Sequence, residues 1–131
     1  MTTKEVLDSY KINILNRKTS TYGIVTNDKF FLGGEQMESF FGLSYNDLET
    51  LNDILIPTVE HFLNGDNPPL DWNDTYFTGI NNTAIIYVDK VCFISHQSRN
   101  VIQTVPIGHF KIIAEAWRDF LAQPPLGGTI L

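Results

Sequence analysis

The side chains that could do chemistry are few: three histidines, one cysteine and 15 carboxylates in 131 residues. His61, His96 and His109 are candidate general bases or metal ligands. No two of them stand four apart, as a helical metal site needs, and no spacing matches a zinc ligand set. Cys92 lies between Val91 and Phe93 in an apolar run, so it reads as a small buried hydrophobe rather than a nucleophile. Asp71 and Asp74 flank Trp72 in Asp-Trp-Asn-Asp. Such a pair can serve glycosidic acid/base work, and it can equally cap a turn, which the composition favours. Gly33-Gly34 lacks the lysine and spacing of a phosphate loop. The sequence therefore predicts no catalytic residue, no metal and no cofactor. A hydrolase using Asp71 or Asp74 with a histidine is the enzymatic alternative.

The distribution of the carboxylates says more. Residues 30–89 hold 10 of the 15 acids and none of the 9 Lys and Arg residues, leaving −10 in the middle and +4 in the flanks. Charge of one sign gathered in one stretch steers oppositely charged partners. A basic footprint, which nucleic acid requires, is missing. The expected partner is a basic protein surface.

Length and composition fit one domain over 1–131, with 43% hydrophobic residues to build a core. A single cysteine permits no intrachain disulfide, which favours a reducing compartment. The start of the chain has no apolar signal core, and no apolar run reaches the length of a membrane span. The expected location is cytoplasmic.

The elements that must carry these residues alternate irregularly. Residues 4–15 fit either a helical turn around Val6 and Leu7 or a strand through Tyr10, Ile12 and Ile14. Tyr22–Val25 and Lys29–Leu32 read as short strands about a Thr26-Asn27-Asp28 turn. Glu35–Phe41 reads as a short helix ended by Gly42. A helix then starts at Ser44, with Ser44-x-x-Asp47 as an approximate capping box. Leu48, Leu51, Leu55, Val59 and Phe62 form its apolar stripe, and Glu49, Asp53 and Glu60 form a neighbouring acidic one. Pro57 should kink or split this helix. Residues 66–82 read as a loop carrying Asp66, Asp71, Trp72, Asp74, Tyr76 and Phe77. Its aromatics are either core anchors or interface hot spots. Thr83–Val88 and Val91–Ser95 form the best strand pair, turning at Asp89-Lys90, with Arg99–Thr104 as a third strand. Pro106 opens a last helix whose stripe is Ile107, Phe110, Ile113, Trp117 and Leu121. Residues 126–131 read as a tail. Without a βαβ rhythm the fold class is α+β: a small antiparallel sheet packed with two or three helices.

The final third, Ala84–Ser95, Val105-Pro-Ile-Gly-His-Phe110 and the helix with Trp117-Arg-Asp-Phe-Leu121, resembles bacterial toxin-immunity proteins, most closely those of contact-dependent growth inhibition systems. The Gly33-Gly34-Glu35 turn also resembles the Smi1/Knr4-like immunity superfamily. The motif is structural and transfers no functional residue. The resemblance implies a non-enzymatic cytoplasmic protein that binds and neutralises one cognate toxin, often a nuclease with a basic cleft. The expected contact residues are Glu49, Asp53 and Glu60 on the helix, with Asp66, Asp71, Trp72, Asp74 and Tyr76 on the loop. A non-catalytic adaptor with an acidic surface is the remaining alternative.

Overall fold

The computed structural model describes residues 2–64 and 76–123. Asp66, Asp71, Trp72, Asp74 and the 126–131 tail lie outside the described residues. The fold is mixed α+β, with a two-stranded and a four-stranded antiparallel sheet.

Residues 4–15 contain both alternatives in turn. Thr3–Ser9 is a helix, opened by a reciprocal cap in which the Glu5 amide donates to Thr2 Oγ1 at 3.1 Å and the Thr2 amide to Glu5 Oε1 at 3.2 Å. After the helix Lys11 turns at φ 57°, and β1 (Asn13–Thr21) begins. β1 pairs along its whole length with β2 (Ile24–Leu32), Asn13 opposite Leu32 and Thr21 opposite Ile24. The turn between them is Tyr22-Gly23, both at positive φ (52° and 79°), the backbone of a two-residue hairpin whose twist suits the strands. The expected turn at Thr26-Asn27-Asp28 is therefore wrong. Those residues sit mid-strand, because nine consecutive cross-strand pairs outweigh their turn propensity.

The helix Gln36–Ser39 runs on into a π-turn, Phe40–Ser44, closed by the Tyr45 amide on the Phe40 carbonyl at 2.8 Å. Gly42 lies inside this wider turn instead of ending a helix. The capping box expected at Ser44 is also corrected. Ser44 Oγ accepts from the Ile80 amide at 2.9 Å, and Asp47 is itself the N-cap, Oδ2 accepting from the Thr50 amide at 2.9 Å. The middle helix follows in three continuous segments: Leu48–Thr50, a second π-turn at Leu51–Leu55, and Ile56–Leu63. The Ile56 amide reaches back five residues to the Leu51 carbonyl. Pro57 explains the widening: it has no N–H to give, and its ring crowds the carbonyl one α-turn earlier. The π-turn takes up that conflict without breaking the helix. It also brings two successive residues, Leu55 and Ile56, into the core.

β3 (Tyr76–Thr78), β4 (Asn82–Ile86), β5 (Lys90–Ser95) and β6 (Val101–Pro106) form the larger sheet in that order. β3 falls inside the stretch expected to be loop. Three residues are too short for periodicity to reveal, and its pairing with β4 fixes it. Between paired Ile86 and Val91 the chain turns over Tyr87–Lys90, where the Tyr87 amide donates to the Lys90 carbonyl at 2.8 Å. β6 starts two residues later than expected because Arg99, at φ 60°, belongs to the turn before it.

One sheet face presents Ala84, Ile86, Val91, Phe93 and Val105 to the core, and the C-terminal helix Ile107–Ala122 covers it with Ile107, Phe110, Ile113, Ala114 and Trp117. Leu51, Leu55, Val59 and Phe62 pack beside them. Trp117 is fully buried, and its Nε1 donates to the Tyr45 carbonyl at 3.1 Å. The β1–β2 ribbon is fastened at its base. Phe31 stands edge-on to Trp117 with centroids 5.5 Å apart, and Lys29 reaches the end of the C-terminal helix. Among the described residues no helix is long and apolar enough to cross a membrane.

Candidate partner-binding surface

The expected contact surface begins at the Asp47 cap. The Thr50 amide and hydroxyl donate to this carboxylate and hold its pKa below the ordinary range. Glu49 follows in the first turn, where the helix dipole favours an acid. Glu49 and Asp53 are both exposed. Glu60 is half-buried, and the intervening π-turn sets it apart. One extra residue per turn rotates everything beyond it by about 100° relative to an α-helix. The three acids thus do not make one continuous stripe. Among the described residues none of the three has an ion-pair partner, whereas Lys111, Glu115, Arg118 and Asp119 on the C-terminal helix are joined in ion pairs.

Two apolar neighbours of these acids stand at the surface, and the first of them was expected in the core. Leu48, assigned to the core stripe, is 37% exposed, and Ile54 is 53% exposed. The π-turn accounts for Leu48, since the α-helical spacing that tied it to Leu55, Val59 and Phe62 no longer holds across residues 51–55. A proline two residues past Leu55 was the signal in the sequence.

Tyr76 lies on the edge strand β3, opposite Ile85, with its side chain 46% exposed. Phe77, one residue on, is buried in the core. The aromatics thus divide: Phe77 anchors and Tyr76 is presented. Tyr45 ties this edge to the start of the middle helix. Its ring stacks on Phe40 at 4.4 Å and meets Phe77 at 5.8 Å, and its hydroxyl donates to the Thr78 carbonyl at 3.0 Å. Burial pushes the Tyr45 pKa up, so the hydroxyl keeps its proton. Glu49, Asp53 and Tyr76 therefore belong to elements joined through one residue. Asp66, Asp71, Trp72 and Asp74 lie between those elements in sequence and outside the described residues.

No protein-family model, curated protein or solved structure matches this chain. The functional reading rests on its own residues.

Two of the three histidines, His96 and His109, are held by neutral groups. His109 Nδ1 is 2.9 Å from the Tyr10 hydroxyl. His96 Nε2 is 2.9 Å from Thr83 Oγ1, and its Nδ1 is 3.2 Å from the Ile80 carbonyl. Cys92 is buried, its Sγ 3.7 Å from Thr104 Oγ1. A Cys–His pair would need one of these histidines at the thiol, and both are engaged elsewhere. Among the described residues no three His, Cys, Asp or Glu side chains converge on a possible metal position.

Proposed function

We propose that this chain is a non-enzymatic, cytoplasmic immunity protein that binds and neutralises one cognate toxin domain, a nuclease with a basic cleft. The observation that carries the reading is the exposed pair Glu49 and Asp53, without an ion-pair partner among the described residues, beside the exposed apolar Leu48 and Ile54. Unpaired acids raise the rate of encounter with a basic surface, and apolar neighbours slow dissociation once water is excluded. Tyr76 adds an aromatic contact on the adjoining strand edge. The resemblance of the final third of the sequence to immunity proteins supports the same reading independently of charge. The neutral partners of His96 and His109 favour inhibition over hydrolysis.

The test is coexpression with the product of the reading frame directly upstream, followed by binding kinetics. The chain should protect cells from that product and co-purify with it. The double reversal Glu49→Lys, Asp53→Lys should slow association about tenfold at low salt, with the difference shrinking as salt screens the charges. Unchanged association at low salt would remove this helix from the interface. Absence of protection and of co-purification would sink the immunity reading.

A further inference from the structure

A second surface, separate in sequence from the acidic helix, has backbone features of its own. The chain enters and leaves β1–β2 through two short turns that meet: Tyr10-Lys11 on one side and Gly33-Gly34-Glu35 on the other. The Gly34 amide donates to the Tyr10 carbonyl at 3.1 Å. A Cβ at Gly33 would collide with the Lys11 carbonyl oxygen, so the two turns touch backbone to backbone. Gly33, Gly34 and Glu35 have φ of 84°, 76° and 54° in succession, and Lys11 has 57°.

Glu35 is the anomaly. At φ 54°, ψ −113° it holds a backbone conformation that only glycine adopts without strain. Two glycines precede it, so a third would have been the unstrained choice. Strain of this kind persists where the surroundings impose it, and it concentrates at functional sites. Here two hydrogen bonds impose it. The Gly33 amide donates to Glu38 Oε2 at 2.6 Å, and the Gln36 amide donates to Gln103 Oε1 at 2.9 Å, fixing the turn on both sides of Glu35. The Glu35 side chain itself is exposed.

The strained turn borders a groove of about 610 Å³, lined by Lys11, Gly33, Gly34, Glu35, Gln103 and Thr104 among others. That volume suits a large side chain with its flanking backbone. Its polar groups differ in kind. Glu35 carries an acceptor carboxylate and Lys11 a donor ammonium. Gln103, whose oxygen is taken by Gln36, keeps its –NH2 as a donor. A bare cation would meet Lys11 unfavourably, and a bare anion would meet Glu35. A guest carrying both a cation and carbonyl acceptors satisfies both groups. A planar guanidinium matches a carboxylate with two parallel hydrogen bonds, and peptide carbonyls can accept from Lys11 and Gln103.

We infer that this groove receives an arginine residue of a protein partner, with Glu35 as its anchor. Which protein carries that arginine rests on the immunity reading above; the chemistry of the groove does not.

The test uses the full chain and a probe without any toxin: N-acetyl-L-arginine amide, titrated against amide resonances. Saturable shifts are expected at Gly33, Gly34, Gln103 and Thr104, with a dissociation constant of about 1 mM. The neutral N-acetylnorleucine amide should give none. Glu35→Gln keeps the backbone strain and removes the charge, and should weaken the arginine response about tenfold or more. Shifts that fail to saturate, or that survive Glu35→Gln, would overturn the assignment. So would a response to inorganic phosphate without one to arginine, which would make Lys11 the anchor. The strain is read separately. Glu35→Gly should melt about 3–6 °C above Glu35→Ala, because only glycine relieves the backbone. Equal melting temperatures would remove the premise that the turn holds Glu35 against its preference.

Discussion

Replacing Lys29 with methionine keeps the aliphatic stem on β2 and removes one charge from the end of the C-terminal helix. The ammonium donates to the carbonyls of Phe120 at 2.7 Å, Leu121 at 3.1 Å and Gln123, and it lies 5.5 Å from the centre of the Phe120 ring. Leu121 is among the carbonyls that a helix end leaves without an amide partner, while the Phe120 carbonyl also accepts from the Gln123 amide at 3.2 Å. Three bonds do not add in full, because near the surface water replaces part of what is lost. One charge-assisted bond contributes about 1.5 kcal/mol. The cation over the ring and the charge at the helix C-terminus add about 0.5 kcal/mol each. Partial burial works the other way and draws the Lys29 pKa down, though the amine starts far enough above neutrality to stay protonated. The net expectation is a loss of about 2 kcal/mol, or roughly 6–10 °C in melting temperature for a domain of this length. Urea unfolding followed by far-ultraviolet circular dichroism measures it. Lys29→Arg, which keeps the charge, should lose less than half as much. A methionine variant within about 0.5 kcal/mol of the parent would show that the clamp is hydrated surface contact and that Phe31 alone fastens the ribbon.

Asp47→Ala removes the cap of the middle helix and should cost about 1 kcal/mol near neutral pH. The folded pKa of Asp47 is depressed, so its contribution is complete above the unfolded value and disappears as pH falls through the folded one. Chemical denaturation in acid should therefore bring parent and variant together; a gap that persists there would refute the carboxylate's role. Two glycine substitutions separate backbone demand from mere absence of a side chain. Gly33→Ala should cost about 2 kcal/mol or more, because φ is 84° and the new methyl meets the Lys11 carbonyl. Gly108→Ala, in the C-terminal helix with nothing within 4 Å, should gain about 0.5–1 kcal/mol by calorimetry.

The residue pattern carried the fold class and the last third of the chain well. Pro106 does stand at the entrance of the C-terminal helix, and Ile107, Phe110, Ile113 and Trp117 are buried as their spacing required. What escaped was local geometry that period counting cannot register. Two π-turns each insert a residue into a helix, which moved Leu48 outward, brought Ile56 inward and took Glu60 away from Glu49. The β1–β2 turn fell on Tyr22-Gly23 because positive φ at two adjacent residues decides a hairpin, while a polar triplet only suggests one. Of the surface residues, Glu49, Asp53 and Tyr76 were legible as exposed side chains. Leu48 and Ile54 were not, since the same apolar letters serve core and surface alike. Glu35 looked like an ordinary solvating acid; only its φ and ψ set it apart.

The β1–β2 ribbon carries a cost of its own. Each strand is nine residues long, roughly 30 Å, and among the described residues no third strand pairs with either outer edge. Such edges invite pairing with another chain, the first step toward fibrils. Arg17 and Lys18 on β1 are exposed, and Arg17 also lies 5.2 Å from the centre of the Phe30 ring on the facing strand. Two like charges repeated along an approaching identical edge oppose its alignment in register. These two charges on the basic flank thus act against edge-to-edge pairing of two copies, a role that concerns no toxin.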